Sequence, residues 1–247
     1  MTSLRTVAFL DVEFDQADIR DAIDWVVRQS RTETFSYLVT PNVDHIVQIH
    51  DAKDTGASLA LSDADFVTCD SRILSGLARI SGLRLPVAPG SDLTRELLFS
   101  LAKGTRIAVI GGDEALLASL ASRFPDFEWT AHYPPMGVRT NQAARQAIAD
   151  FVCECRADIV FFAIGAPQSE ITCREIAQQK RAKGTALCIG ASLEFLTGVK
   201  KRAPRWMQML ALEWLFRLLC EPRRLWRRYL VFGPRVLVIW WRWRAKR

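Results

Sequence analysis

Asp70 closes the apolar run Val67-Thr68-Cys69, where a carboxylate could take the proton of an acceptor hydroxyl if its pKa and reach suit a general base. It could equally cap a helix opening near Ile73. Thr40 and Asn42 flank Pro41. A hydroxyl and an amide there can hydrogen-bond a sugar or a diphosphate, or cap the next helix. His45, one turn later, reads as packing. Gly111-Gly112 permits a tight strand-to-helix turn whose amides a nucleotide could approach. The run lacks G-x-G-x-x-G spacing and continues into Asp113 and Glu114, so it makes a poor dinucleotide fingerprint. Gly165-Ala166-Pro167-Gln168-Ser169-Glu170 supplies an amide, a hydroxyl and a carboxylate at a helix start. Ser169, Pro167 and Glu170 suit capping, while Gln168 is placed to reach a polar cleft.

Other chemistries lack their residues. There is no GxSxG elbow, no nucleophile–histidine pair and no DxD motif. His45, His50 and His132 are scattered. The six cysteines have neither zinc-knuckle nor CxxC spacing and read as scattered reduced thiols. Neither a metal nor an organic cofactor is expected.

These residues need a scaffold that gathers them. Strands are predicted at Thr6–Leu10, Phe35–Val39, Phe66–Cys69, Arg106–Ile110, Glu128–Ala131, Asp158–Ile164 and Ala186–Ile189. Helical periodicity occupies most intervals, notably 16–29, 44–50, 73–80, 92–102, 114–124, 140–155 and 169–181. Alternating strands and helices predict an α/β, Rossmann-like fold with a largely parallel sheet sandwiched by helices. Ligands of such sheets bind beyond the carboxyl ends of the strands. Thr40–Asn42, Asp70–Arg72, Gly111–Asp113, Gly165–Glu170 and Gly190–Glu194 all follow strands, which predicts a shared cleft.

The pattern changes after Gly198. Lys200 to Arg247 holds 14 basic and two acidic residues, with six of the eight tryptophans; residues 1–199 hold 19 basic and 25 acidic groups. The formal charge of +6 is therefore an acidic body carrying a basic, Trp-rich tail. The expected division is an α/β core over 1–198 and an amphipathic helical appendage over 199–247. Trp206–Leu219 predicts one helix with a broad apolar face, broken by Pro222. A second amphipathic helix follows as far as Pro234, and Val236–Trp243 forms a short apolar patch. Arg–Leu–Trp interleaving suits an interfacial helix better than a nucleic-acid site, so no nucleic-acid partner is expected. No uncharged apolar stretch is long enough to span a bilayer, and no signal peptide is evident.

Thr40-Pro41-Asn42, Gly90-Ser91-Asp92-Leu93, Gly165–Glu170 and the block Lys201-Arg202-Ala203-Pro204-Arg205-Trp206-Met207-Gln208 carry a specific resemblance. With Leu212-Glu213-Trp214-Leu215-Phe216-Arg217-Leu218 and Glu221-Pro222-Arg223-Arg224, the chain resembles the WecG/TagA/CpsF family of bacterial glycosyltransferases over about residues 6–235. The resemblance implies inverting transfer of a hexose or N-acetylhexosamine-type sugar from a UDP-sugar to a polyprenyl-diphosphate-linked saccharide in surface or exopolysaccharide synthesis. It implies that Thr40 and Asn42 line the site, with Thr40 and Asp70 as the catalytic residues and Asp70 as the general base. Gln168, Glu170 and the Gly111 turn are the other binding candidates. Arg202, Arg205, Arg217 and Arg224 would bind the acceptor diphosphate. The tail would complete the site and hold the enzyme peripherally on the cytoplasmic face of the inner membrane, against anionic lipid; a homo-oligomer is compatible with this. Three departures stand out: Ser71 where the family has Gly, Val87 where it has Arg, and Gln168-Ser169-Glu170 where it has Lys-Gln-Glu. A basic nucleic-acid-binding protein, a Rossmann-like oxidoreductase and a noncatalytic membrane scaffold are the rival readings.

Overall fold

The computed structural model describes residues 5–51 and 55–246, the side chains of Thr55 and Arg205 excepted. The chain opens with Thr6–Phe9 (β1) and Val12–Asp15 (β2), an antiparallel hairpin where a single strand is predicted. Leu10 and Asp11 turn it with φ of 52° and 61°. A two-residue hairpin turn needs this left-handed backbone, normally signalled by Asn-Gly. Leu10-Asp11 carries no such signal. Alternation then buries Val7, Phe9, Val12 and Phe14.

Short apolar runs form the main sheet: Phe35–Val39 (β3), Phe66–Val67 (β4), Arg106–Ile110 (β5), Glu128–His132 (β6), Ile159–Phe162 (β7) and Gly184–Cys188 (β8). Their order is β4-β3-β8-β7-β5-β6, and every pair is parallel. Two hydrophobic clusters flank the sheet, and neighbouring strand residues divide between them. Tyr37, Val39 and Phe162 enter one, Leu38 and Phe161 the other. Gly184 begins β8 because a Cβ there would lie 2.2 Å from the Ala157 carbonyl oxygen, at a φ of +87°. The predicted α/β sandwich is the observed fold.

The body helices are Ile19–Gln29 (α1), Val43–Ile49 (α2), Thr55–Ser62 (α3), Arg72–Ile80 (α4), Gly90–Ser100 (α5), Glu114–Arg123 (α6), Gln142–Cys155 (α7), Gln168–Gln179 (α8) and Ser192–Thr197 (α9). Helix α1 starts three residues later than predicted because Asp18 accepts the Arg20 and Asp21 amides while the Asp21 carboxylate accepts the Asp18 amide. Helix α3 was not expected. Its small, uncharged sequence shows no polar face to reveal a period.

In the tail, the predicted Trp206–Leu219 helix is two helices, Arg205–Met209 (α10) and Glu213–Cys220 (α11). The break is at Ala211, with φ of 59°, and it re-aims α11. Pro222–Trp226 (α12) runs into a π-helical turn at Arg227–Phe232, and Arg235–Ala245 (α13) completes the fold. Pro234 separates the second helical segment from α13, a helix where only a short apolar patch is predicted. The tail also returns to the body. Val236 is buried, the Trp243 ring meets Phe9 edge-on at 5.1 Å, and Trp240 Nε1 donates to Ser81 Oγ at 2.8 Å. Trp240 and Trp243, from the predicted apolar patch, thus pack on the body. Among the described residues, no helix is long and apolar enough to cross a membrane.

Candidate active site

Beyond the ends of β3 and β4, body and tail enclose a cavity of about 470 Å³. Asn42, Asp70, Ser71, Arg72 and Asp92 come from the body; Arg202, Glu213, Trp214, Arg217, Arg228 and Tyr229 come from the tail.

Asp70 is free for chemistry because its neighbour does the capping. Ser71 Oγ accepts the Leu74 amide at 3.2 Å and starts α4. Ser71 sits at φ −157°, an extended backbone that needs no glycine. Cys69 bridges to Val87 in parallel, and this lays the segment leading to α5 beside Asp70. Burial above all, with Glu213, raises the Asp70 pKa from its ordinary 3.8 to a net value of about 7, against the lowering by Arg217, the Gly90 amide hydrogen bond and His45. That value suits a general base at neutral pH.

Asn42 both caps α2, through the Asp44 amide at 3.0 Å, and lines the cavity. His45 links Asn42 to Glu170, with Nε2 3.2 Å from Glu170 Oε1. This correlates with a burial that sequence reasoning read only as packing.

The cationic wall is not a set of free arginines. Arg202 grips Asp92 with two bonds of 2.6 and 2.9 Å. Arg217 bonds Glu213 at 2.7 Å and lies over the Phe195 ring, and Arg228 pairs with Asp44 at 3.2 Å. Four guanidinium groups (Arg72, Arg202, Arg217, Arg228) and four carboxylates (Asp44, Asp70, Asp92, Glu213) line the space. Each of Arg202, Arg217 and Arg228 nevertheless keeps a buried Nε without a hydrogen-bond partner among the described residues. Burial pushes the Asp92 carboxyl up, but its bonds to Arg202 bring it to a net value below the ordinary one.

Several expected residues lie elsewhere. Thr40 is buried, its hydroxyl donating to the Cys188 carbonyl at 3.2 Å, and it packs against Gly90 at the start of α5. It joins β3, β8 and α5 and does not line the cavity. Gly111 also lies outside it. The Gly111 amide donates to the His132 carbonyl at 2.9 Å, and a Cβ at this φ of +101° would come 2.8 Å from Ile164. The tight-turn reading accounts for it. Gln168 folds back to donate to the Ile164 carbonyl, and Glu170 faces His45; neither lines the cavity. Arg224 is exposed and paired with Glu221 at 2.6 Å. The Arg205 side chain lies outside the described residues. The predicted shared cleft thus narrows to the loops after β3 and β4.

Sequence reasoning missed Glu213, Arg228 and Tyr229. Glu213 had a signal, being one of two acids in a strongly basic tail. Asp92 stood in a quoted motif without a role. Among the described residues, no group of three or more His, Cys, Asp or Glu side chains could hold a metal ion.

A family model, the Glycosyl transferase WecG/TagA/CpsF family, matches residues 7–247. The match spans the sheet, the cavity floor and the tail that roofs it. The chain belongs to this family and is a glycosyltransferase of cell-surface polysaccharide biosynthesis, working between a sugar donor and an acceptor.

Proposed function

We propose that the chain transfers a hexose or N-acetylhexosamine-type sugar from a UDP-sugar to a polyprenyl-diphosphate-linked saccharide, with inversion. The observation that carries this is Asp70, raised to about 7 on the floor of a cavity walled by half-buried arginines. Asp70 takes the proton of the acceptor hydroxyl. The hydroxyl oxygen forms the new bond to the anomeric carbon from the face opposite UDP. The bond to the UDP oxygen breaks, and its electron pair leaves on the diphosphate, where backbone amides and cationic side chains stabilise the charge.

Arg202 and Arg217 are the acceptor-diphosphate ligands, through guanidinium hydrogens that their bonds to Asp92 and Glu213 do not use. Arg224, from an exposed position, and Arg205 are further candidates for the same diphosphate. Trp214, Leu230 and Leu237 offer an apolar wall to the adjoining isoprenoid. Outside the cavity, Trp206, Met209, Leu210, Leu219, Trp226 and Trp241 are exposed on a basic tail. That pairing suits insertion into the headgroup region of anionic lipid, placing the enzyme peripherally on the cytoplasmic face of the inner membrane. The functional division at residues 198 and 199 follows: body for the base, tail for acceptor and lipid.

The test incubates membranes bearing native polyprenyl-linked acceptors with a panel of UDP-sugars and identifies products by mass. A mass increase of one sugar on the lipid-linked acceptor, lost in Asp70→Asn, is the expected result. Equal transfer by that variant would reject Asp70 as the base.

A further inference from the structure

A second polar chain lies behind the cavity, and the mechanism above does not use it. His45, on α2, is nearly buried, and Glu170, in the first turn of α8, is more so; their side chains are 11% and 4% exposed. Glu170 Oε1 is 3.2 Å from His45 Nε2, while Glu170 Oε2 is buried without a partner among the described residues. Leaving a carboxylate oxygen in that state costs stability, so packing alone does not account for the pair.

The ring's other nitrogen meets Asn42. The Asn42 backbone amide lies 3.2 Å from His45 Nδ1, and Asn42 Oδ1 lies 3.1 Å from it. An ionised Glu170 requires the proton on Nε2. A bare Nδ1 then accepts the Asn42 backbone N–H; a protonated Nδ1 donates to Asn42 Oδ1 instead. Either state ties the ring to Asn42. Asn42 Oδ1 also accepts the Asp44 amide at 3.0 Å. With that oxygen engaged, the amide nitrogen Nδ2 makes no hydrogen bond among the described residues, on a side chain that lines the cavity.

We infer that Glu170 and His45 are positioning residues that hold Asn42 with its Nδ2 hydrogens presented to a substrate oxygen. The pair links the loop after β3 to the helix after β7, across the end of β8. Glu170 thereby acts on substrate through His45 and Asn42, without touching it. The inference rests on the cavity being the transfer site.

A double-mutant cycle tests it, using the full chain, membranes bearing the lipid-linked acceptor, and the UDP-sugar that supports transfer. Asn42→Ala and His45→Ala should each lower kcat/KM by about tenfold or more, and the double variant should fall within about threefold of Asn42→Ala. His45→Gln puts at the third position of α2 a residue that can both accept the Asn42 backbone N–H and donate to Glu170. It should unfold near the wild-type temperature and keep kcat/KM within about threefold of wild type, a readout that stands if His45→Ala does not fold. Multiplying losses in the double variant, a loss in folded His45→Gln as large as in Asn42→Ala, or wild-type rates in Asn42→Ala, would overturn the inference. Full transfer by Asp70→Asn would instead defeat the reading of the cavity itself.

Discussion

The floor and the roof of the cavity are held in place by different forces. The floor rests on β3 and β4, whose residues are almost all buried, and its side chains are set by caps: Ser71 on α4 and Asn42 on α2. The roof includes α11, which has no buried residue. Ion pairs tie the roof to the body, Arg202 to Asp92 and Arg228 to Asp44, with Trp240 and Trp243 anchoring its far end. A floor built this way keeps a proton acceptor in one place. A roof built on exchangeable ion pairs can trade a carboxylate partner for a ligand phosphate, and its exposed apolar side chains stay free for lipid.

If floor and roof divide the work, their variants should fail differently. The largest effect belongs to the floor: Asp70→Asn should lower kcat by about a thousandfold, the usual scale of a general base, with a smaller change in acceptor KM. Steady-state kinetics measure both. Arg217→Ala on the roof should cost about thirtyfold or more in kcat/KM, mainly through acceptor KM. Arg217→Lys should recover only part, because lysine lacks the planar fork. An effect confined to kcat would erase the distinction.

Lipid binding belongs to the roof alone. Replacing exposed Trp206 and Leu219 together by Glu should weaken binding to anionic vesicles by about tenfold, read by flotation. It should leave transfer to a short, soluble acceptor analogue intact. Tight binding to nucleic acid with none to vesicles would remove the membrane role from the tail.

Two smaller effects concern stability. The folded state raises the Asp70 pKa from 3.8 to about 7, so the fold is favoured by the neutral carboxyl. That contribution is full below about pH 4 and is lost as pH rises through about 7. Asp70→Asn should therefore raise the unfolding temperature at pH 8 and change it little at pH 4. Asn141, far from the cavity, caps α7 by accepting the Ala144 amide at 3.0 Å. Asn141→Ala should cost about 1 kcal/mol, a few degrees of melting temperature, with no change in rate.

Much of the sheet was legible because a short apolar run between turn residues has few alternatives. Phe35–Val39 and Arg106–Ile110 are observed with their predicted bounds. The hairpin at Leu10-Asp11 was hidden because its left-handed turn uses residues that seldom adopt one. The tail was less legible: its apolar periodicity runs through Ala211 without a visible break. The site divided along the same line. Asp70 and Asn42 follow strands and could be found by position, and Arg202 and Arg217 by the resemblance. Thr40 and Gly111 follow strands too, but their polar groups serve the fold. Position after a strand cannot distinguish these cases, since the partners, Cys188 and His132, are distant in sequence. His45 was read as packing because its two partners become neighbours only when the sheet forms.

The most direct measurement is the pH dependence of kcat/KM for transfer to the lipid-linked acceptor. With Asp70 as the base, activity should rise about tenfold per pH unit on the acid side and level off above about pH 7, and Asp70→Asn should abolish that limb. A profile flat from pH 5 to pH 8, or the same limb in the variant, would contradict the account.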